Sequence, residues 1–190
     1  MLGKNCTVLR KIRRAHFDGG MFLVIKKGKT IMKVQDVMTR NVQSCRPETN
    51  LATAAMQMWK GDFGALPVVN PAGKVIGTIT DRDICIAAAA KNRDPGDIRV
   101  KEVMSEQVYA CSPDTDIQQA IKIMQEKRVR RLPIRNATDG KLVGILSMDD
   151  LAVRAEGKRR AELSAQDVEN TLRAICAHRS LPMALVDNQI

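Results

Sequence analysis

Gly77-Thr78-Ile79-Thr80-Asp81-Arg82-Asp83 and Gly144-Ile145-Leu146-Ser147-Met148-Asp149-Asp150 share one pattern: a glycine, a largely apolar run, a hydroxyl residue, and an aspartate three places on. The two stretches lie 67 residues apart. Toward the N-terminus the match continues at an offset of 66, with Val37-Met38 on Val103-Met104, Val42 on Val108, Cys45 on Cys111, Pro47 on Pro113 and Thr49 on Thr115. Ala54, Met58, Leu66-Pro67 and Asn70 fall on Ala120, Met124, Leu132-Pro133 and Asn136 in the same register. A one-residue insertion in the second turn shifts the offset to 67, so that Gly73-Lys74 meets Gly140-Lys141. Sequences of ordinary composition agree by chance at roughly one position in sixteen. Whole coinciding blocks therefore mark an internal duplication.

Each copy reads as β-α-β-β-α. A short apolar segment (residues 42–45 and 108–111) stops at Pro47 or Pro113. Asn50 or Asp116 then suits a helix N-cap. Leu51, Ala54, Ala55 and Met58 follow i, i+3, i+4, i+7 spacing, as do Ile117, Ala120, Ile121 and Met124. Gly61 is expected to end the first helix. Strands are expected over 66–69 and 75–79, with counterparts at 132–134 and 142–146, and a final helix from Thr80 or Ser147. The fold class is α/β (α+β), a tandem of repeats packed by their sheets. One unit of ~60 residues makes a marginal core, so two copies are expected to bury one continuous core. The expected organisation is a leader over 1–31, repeats over 32–92 and 93–156, and a C-terminal helix and tail over 157–190.

Aromatic residues are 3% of the 190-residue chain and hydrophobic residues 44%, so the core must be aliphatic, with Met as filler. No apolar run approaches the ~18–20 residues of a membrane span. The five cysteines (Cys6, Cys45, Cys85, Cys111, Cys176) are scattered without a C-x-x-C pair. That argues for free thiols in a reducing, cytoplasmic setting and against a zinc or disulfide framework. An Arg-rich, acid-poor start leaves an organelle transit peptide open. Of the net +10, residues 1–31 carry +7, eight Lys or Arg against Asp18. This leader lacks periodicity and is expected to be poorly ordered. Met32 opens a better-formed domain than Met1.

The repeated junction is where chemistry is expected. A strand running into a helix leaves the first helical N–H groups unpaired, and with the helix dipole they attract an anion. A hydroxyl at Thr80 or Ser147 can reach a phosphate, and a carboxylate at Asp83 or Asp150 can accept from ribose hydroxyls. The same Thr/Ser-x-x-Asp spacing fits a capping box, in which the two side chains only tie off the helix start. The residues themselves leave both roles open.

Asp36-Val37-Met38-Thr39 with Pro47, Leu66-Pro67-Val68-Val69, and residues 77–83 resemble the cystathionine β-synthase domain, which typically occurs in tandem pairs. Glu102-Val103-Met104-Ser105 with Pro113, Leu132-Pro133-Ile134, and residues 144–150 resemble it again in register, so the likeness covers roughly residues 33–152. The resemblance implies a pseudo-twofold pair with two clefts between the repeats. It also implies an adenine nucleotide, with or without Mg, as regulatory ligand, and a homodimer. Carried over, the first cleft would use Ile145, Ser147 and Asp150, facing Thr39, Val42, Phe63, Gly64 and Ala65. The second would use Thr78, Thr80, Arg82 and Asp83, facing Ser105, Val108, Val129, Arg130 and Arg131. In this likeness the aspartates hold ribose, Thr80 and Ser147 meet phosphate, and Val42 and Val108 flank adenine.

The clefts differ in charge. The second gathers Arg82, Arg130 and Arg131, with Arg128 and Arg135 nearby, and guanidinium forks suit phosphate oxygens. The first has Asp149 in place of Arg82 and Gly64-Ala65 in place of two arginines. A polyphosphate is thus expected to prefer the second cleft, unless residues 127–131 are only a solvated helix end.

A general base or metal site built on histidine from the repeats is excluded, because His16 and His178 both fall outside them. Gly28-Lys29-Thr30 has the ending of a P-loop, but Leu23 stands where glycine is required. The chain has no room for an attached catalytic barrel, transporter or kinase, so a non-catalytic, stand-alone pair regulating an unnamed protein partner is expected. Two alternatives are a nucleic-acid binder using the leader and the Arg128–Arg135 cluster, against which the scarcity of aromatics counts, and a ligand-free interaction scaffold. Beyond the charged stretch 156–160, Ser164-Ala165-Gln166-Asp167 reads as a capping box. Val168, Leu172, Ile175 and Cys176 are expected to line one face of a last helix, which packs on the module or else makes a dimer or partner contact.

Overall fold

In this computed structural model the described residues are 31–155 and 162–177. Residues 1–30 of the basic leader, with His16 and Gly28-Lys29-Thr30, lie outside them, as do 156–160 and His178. The elements are α1 (Leu51–Gly61), β1 (Ala65–Val69), β2 (Val75–Thr80), α2 (Asp81–Ala90), α3 (Ile117–Lys127), β3 (Arg131–Arg135), β4 (Leu142–Ser147), α4 (Met148–Ala155) and α5 (Ala165–Cys176). One 3₁₀ turn lies near the start of each repeat, at Val34–Asp36 and Val100–Glu102.

The helices form where the spacing predicts. Asn50 caps α1 by accepting from Thr53 N at 2.8 Å, and Leu51, Ala54 and Met58 are its buried residues. Asp116 caps α3 through Gln118 N at 2.7 Å, burying Ile117, Ala120, Ile121 and Met124. Gly61 is the last residue of α1, as expected, and the left-handed position after it is Asp62, with φ 52°. Its repeat counterpart is Arg128, with φ 53°. Gly61 is explained instead by Phe63, whose ring would lie 2.0 Å from a Cβ at position 61.

Each repeat holds one antiparallel hairpin, β1–β2 or β3–β4. The turns need glycine: Gly73 has φ +80° and Gly140 φ +71°. Residues 42–45 and 108–111 do not form strands. Each contributes one parallel bridge, Cys45 to Val68 or Cys111 to Ile134. The neighbouring proline cannot donate to a ladder, so pairing goes no further. The α/β repeat architecture stands, with its leading strand reduced to that bridge. Burial raises the thiols of Cys45 and Cys111 to about 11.

The expected single core is replaced by two buried clusters, each completed by the lead-in of the other repeat. Met32, Val34 and Met38 pack with α3, β3, β4 and α4, including Ile117, Met124, Leu132, Leu146 and Leu151. Ile98 and Val100 pack with Leu51, Met58, Leu66, Ile79 and Ile84. The supporting backbone bonds occur twice. Val34 N donates to Thr115 O at 2.9 Å, and Val100 N to Thr49 O at 2.8 Å. Thr39 and Ile145 exchange two bonds of 2.9 Å, and Thr78 and Ser105 exchange bonds of 3.0 and 2.9 Å. This doubling is the pseudo-twofold. It also explains the glycines that open the repeated motif. A Cβ at Gly77 would stand 2.9 Å from Ser105 O, and one at Gly144 2.9 Å from Thr39 O.

Helix α5 packs on α3 and α4. Its buried face differs from the expected stripe. Val168 and Ile175 pack against the cluster formed by α3, β3, β4 and α4, and Thr171 is fully buried, but Leu172 is 46% exposed and Cys176 is exposed. Thr171 is satisfied on both sides, accepting from Gln125 Nε2 at 2.9 Å and donating to Asp167 O at 2.6 Å. A polar residue therefore holds the face that Leu172 was expected to hold.

Candidate functional site

The two junctions are built alike. Thr80 N and Oγ1 both donate to Asp83 Oδ2, at 2.9 and 2.7 Å, while Thr80 Oγ1 accepts from Asp83 N at 3.2 Å. Ser147 and Asp150 repeat these bonds at 2.7, 2.6 and 3.1 Å. Ser164 and Asp167 make the same set at the start of α5, away from both clefts, at 2.8, 2.7 and 3.2 Å. The local pattern is thus a capping box in all three places, and only its surroundings distinguish the junctions.

The expected open helix end is closed at α2. Asp81 N donates to Gly64 O at 3.2 Å, Arg82 N to Asp81 Oδ1 at 2.7 Å, and Asp83 N to the Thr80 hydroxyl. The first donors that would have met an anion are paired within the chain. Attraction of a phosphate must come from side chains.

The first cleft, of about 350 Å³, brings together Thr39, Val42, Phe63, Ala65, Ile145, Ser147 and Asp150. Gly64 is not in its wall; it faces the second cleft and a shallower groove between α1 and α2. Thr39 Oγ1 donates to Asp150 Oδ1 at 2.9 Å, so both oxygens of Asp150 are engaged. Three carboxylates (Asp62, Asp149, Asp150) face one guanidinium, Arg131.

The second cleft, of about 450 Å³, brings together Thr78, Thr80, Arg82, Val129, Arg130 and Arg131. Asp83, Ser105 and Val108 are not in its wall. Asp83 is held in the α2 cap, and Ser105 pairs through its backbone with Thr78. Four guanidiniums (Arg82, Arg128, Arg130, Arg131) stand against one carboxylate, Asp81, beside an apolar floor that includes Leu66, Pro67 and Pro133. Both volumes suit a ligand of nucleotide size.

Sequence reasoning assigned Arg131 to the second cleft alone, but it lines both. The cause is register: Arg131 opens β3 directly opposite Ser147, at the boundary where the clefts meet. Asn41, Gln43 and Asp62 in the first cleft, and Ile175 in the second, were missed. Asp62 carries a signal after the fact, as the repeat counterpart of Arg128. Ile175 carries none, because α5 has no counterpart in the first repeat. Among the described residues, no group of three His, Cys, Asp or Glu side chains is placed to hold a metal ion, and no helix is long and apolar enough to cross a membrane.

The CBS domain model matches residues 34–90 and again 100–156. The chain belongs to the CBS-domain family. This CBS pair is 38% identical over 120 residues to the CBS domain-containing protein YhcV of Bacillus subtilis, covering 63% of this chain and 83% of that one. It is 30% identical over 151 residues to Hypoxic response protein 1 of Mycobacterium tuberculosis, covering 80% and 96%. A crystal structure of Hypoxic Response Protein I with two coordinated zinc ions superposes with a TM-score of 0.59 at 31% identity, over 65% of this chain and 98% of that one. The CBS domain pair of protein MJ0100, in complex with 5′-methylthioadenosine and S-adenosyl-L-methionine, shares the fold with a TM-score of 0.59 at 23% identity, over 65% and 94%.

Proposed function

We propose that this CBS pair is a non-catalytic regulatory module that binds an adenine nucleotide in the clefts between its repeats and passes occupancy on through dimer or partner geometry. The observation that carries the reading is the second cleft. There, four arginines converge beside Thr80 and an apolar floor, a combination suited to a base at one end and phosphates at the other. MJ0100, which shares the fold, is a CBS pair that holds adenosyl ligands, and this supports the choice of base. A population shift between two states of the pair requires the ligand to prefer one of them. The exchanged lead-ins supply the mechanical link: Thr39, next to core residue Met38, lines the first cleft, and Thr78, which lines the second, is bonded through its backbone to Ser105 at the end of the other lead-in.

The test is calorimetric titration of the intact protein with adenosine, AMP, ADP and ATP, with native mass spectrometry for retained nucleotide and dimer mass. Saturable binding that strengthens from adenosine to ATP supports the reading. Absence of binding by all four sinks it, and leaves a ligand-free scaffold. Steeply salt-dependent binding of RNA or DNA in their place would select the nucleic-acid alternative.

A further inference from the structure

The last turn of α5 ends at the arginine wall of the second cleft. Ile175 lines that cleft together with Arg128 and Arg130. Arg128 Nη1 donates to Ala177 O at 3.2 Å, and Arg130 Nη2 donates to Cys176 Sγ at 3.9 Å. A helix C-terminus presents unpaired carbonyls and about half a negative charge. The end of α5 therefore offers these two guanidiniums a weak anion.

We propose that this turn is a built-in competitor for polyphosphate: its docking on Arg128 and Arg130 and the binding of a phosphate chain at the same guanidiniums exclude one another. A thiol sulfur is a weak acceptor, and a neutral carbonyl bonds a guanidinium less strongly than a phosphate oxygen does. A polyphosphate is thus the better partner for both arginines.

The hold on α5 is graded in a way that permits release. Its start is fixed by fully buried Leu163, by the Ser164–Asp167 box, and by Thr171 bonded to Gln125. Its end is exposed at Cys176 and Ala177, and Ala177 has φ −55° and ψ 126°, without a left-handed closing residue. The last turn can leave while the remainder stays docked. Among the described residues the first repeat has no equivalent device. Asp62 and Gly64 occupy the positions of Arg128 and Arg130, and the groove between α1 and α2, beside Trp59 and Cys85, is filled by no described element.

The inference depends on the nucleotide reading only for the identity of the base, so its test uses inorganic tripolyphosphate. In hydrogen exchange of the full chain, saturating tripolyphosphate is expected to speed the amides of residues 174–177 about threefold or more, with 168–172 unchanged. Unchanged or slower exchange at 174–177 overturns the proposal. Cys176→Pro removes one helical N–H and disfavours helix at Ile175. It is expected to tighten tripolyphosphate binding by about threefold to tenfold with the thermal transition retained; equal or weaker binding counts against the proposal. If Cys176→Pro fails to fold, the exchange result on the unaltered chain decides alone. ATP separates the two ideas. If tripolyphosphate loosens the turn and no adenine compound binds better, the nucleotide reading fails alone. If ATP binds and the turn tightens, the competition fails alone.

Discussion

Thr39 Oγ1 donates to Asp150 Oδ1 at 2.9 Å across the repeat boundary, whereas their counterparts Ser105 and Asp83 make no such bond. The first cleft is therefore latched by its own side chains, and the second is not. A ribose diol entering the first cleft has to displace Thr39 from the carboxylate. Thr39→Val keeps the shape and removes the latch. It is expected to raise adenosine affinity at the first cleft by about fivefold, the worth of one net hydrogen bond of ~1 kcal/mol. Calorimetry reads this directly, and unchanged or weaker binding would refute the latch.

Arg82 and Arg131 separate the clefts. Arg82 lines the second alone and Arg131 lines both. Arg82→Ala is expected to weaken ATP at one site by roughly tenfold to a hundredfold, as for loss of a charged hydrogen bond of about 1.5–3 kcal/mol. Arg131→Ala is expected to weaken both sites. Two-site titrations in which Arg131→Ala spares the first cleft would contradict the shared position.

Gly77 and Gly144 test the exchange of lead-ins. An added Cβ would press on a backbone carbonyl, Ser105 O or Thr39 O, at 2.9 Å. These oxygens belong to paired backbone and yield little. Gly77→Ala and Gly144→Ala are each expected to destabilise the protein by about 1–3 kcal/mol, measured by urea denaturation. A variant as stable as the parent would show that the crossing segments are not tightly packed.

Asp167 gives α5 a pH dependence. Burial pushes its carboxyl up, but bonds from Ser164 N and Oγ and from Gln118 outweigh this and leave it below the ordinary value of 3.8. A lowered folded value means that the contribution is complete above the unfolded pKa and is lost as pH falls through the folded one. Anchoring of α5 is expected to weaken below about pH 4, with Asp167→Asn flattening that dependence. Hydrogen exchange of α5 from pH 3 to 6 checks it; identical profiles for parent and variant would rule it out.

Cys45 and Cys111 are buried, with thiols near 11, while Cys85 and Cys176 are exposed. Thiolate is the reactive form. Mass spectrometry after alkylation at pH 8 is expected to find Cys85 and Cys176 labelled and the other two intact. Rapid labelling of Cys45 or Cys111 would mean that the repeats open in the native state.

Much of the fold was legible because its causes are local. Asn50 and Asp116 declare helix starts through their own side chains, and Leu51, Ala54 and Met58 declare a buried face through spacing alone. The motif glycines were legible as a pattern but not as a cause, since the carbonyls that exclude a Cβ come from the opposite repeat. Leu172 misled for the same kind of reason: periodicity reports hydrophobicity, and the position facing α3 is held by Thr171 through a hydrogen bond to Gln125.

The sequence by itself determined that there are two copies of one unit, which segments become helix and hairpin, and that the two ligand clefts expected from the family likeness carry unlike charge. The first two follow from residue order and short-range periodicity, and the third from the residues that the likeness assigns to each cleft. The tertiary structure alone decided that Met32, Val34, Ile98 and Val100 seal each other's repeat, that Thr39 latches Asp150, that Arg131 belongs to both clefts, and that α5 ends on Arg128. Each joins groups far apart in the chain, and no local propensity encodes which distant partner closes a core or reaches a guanidinium.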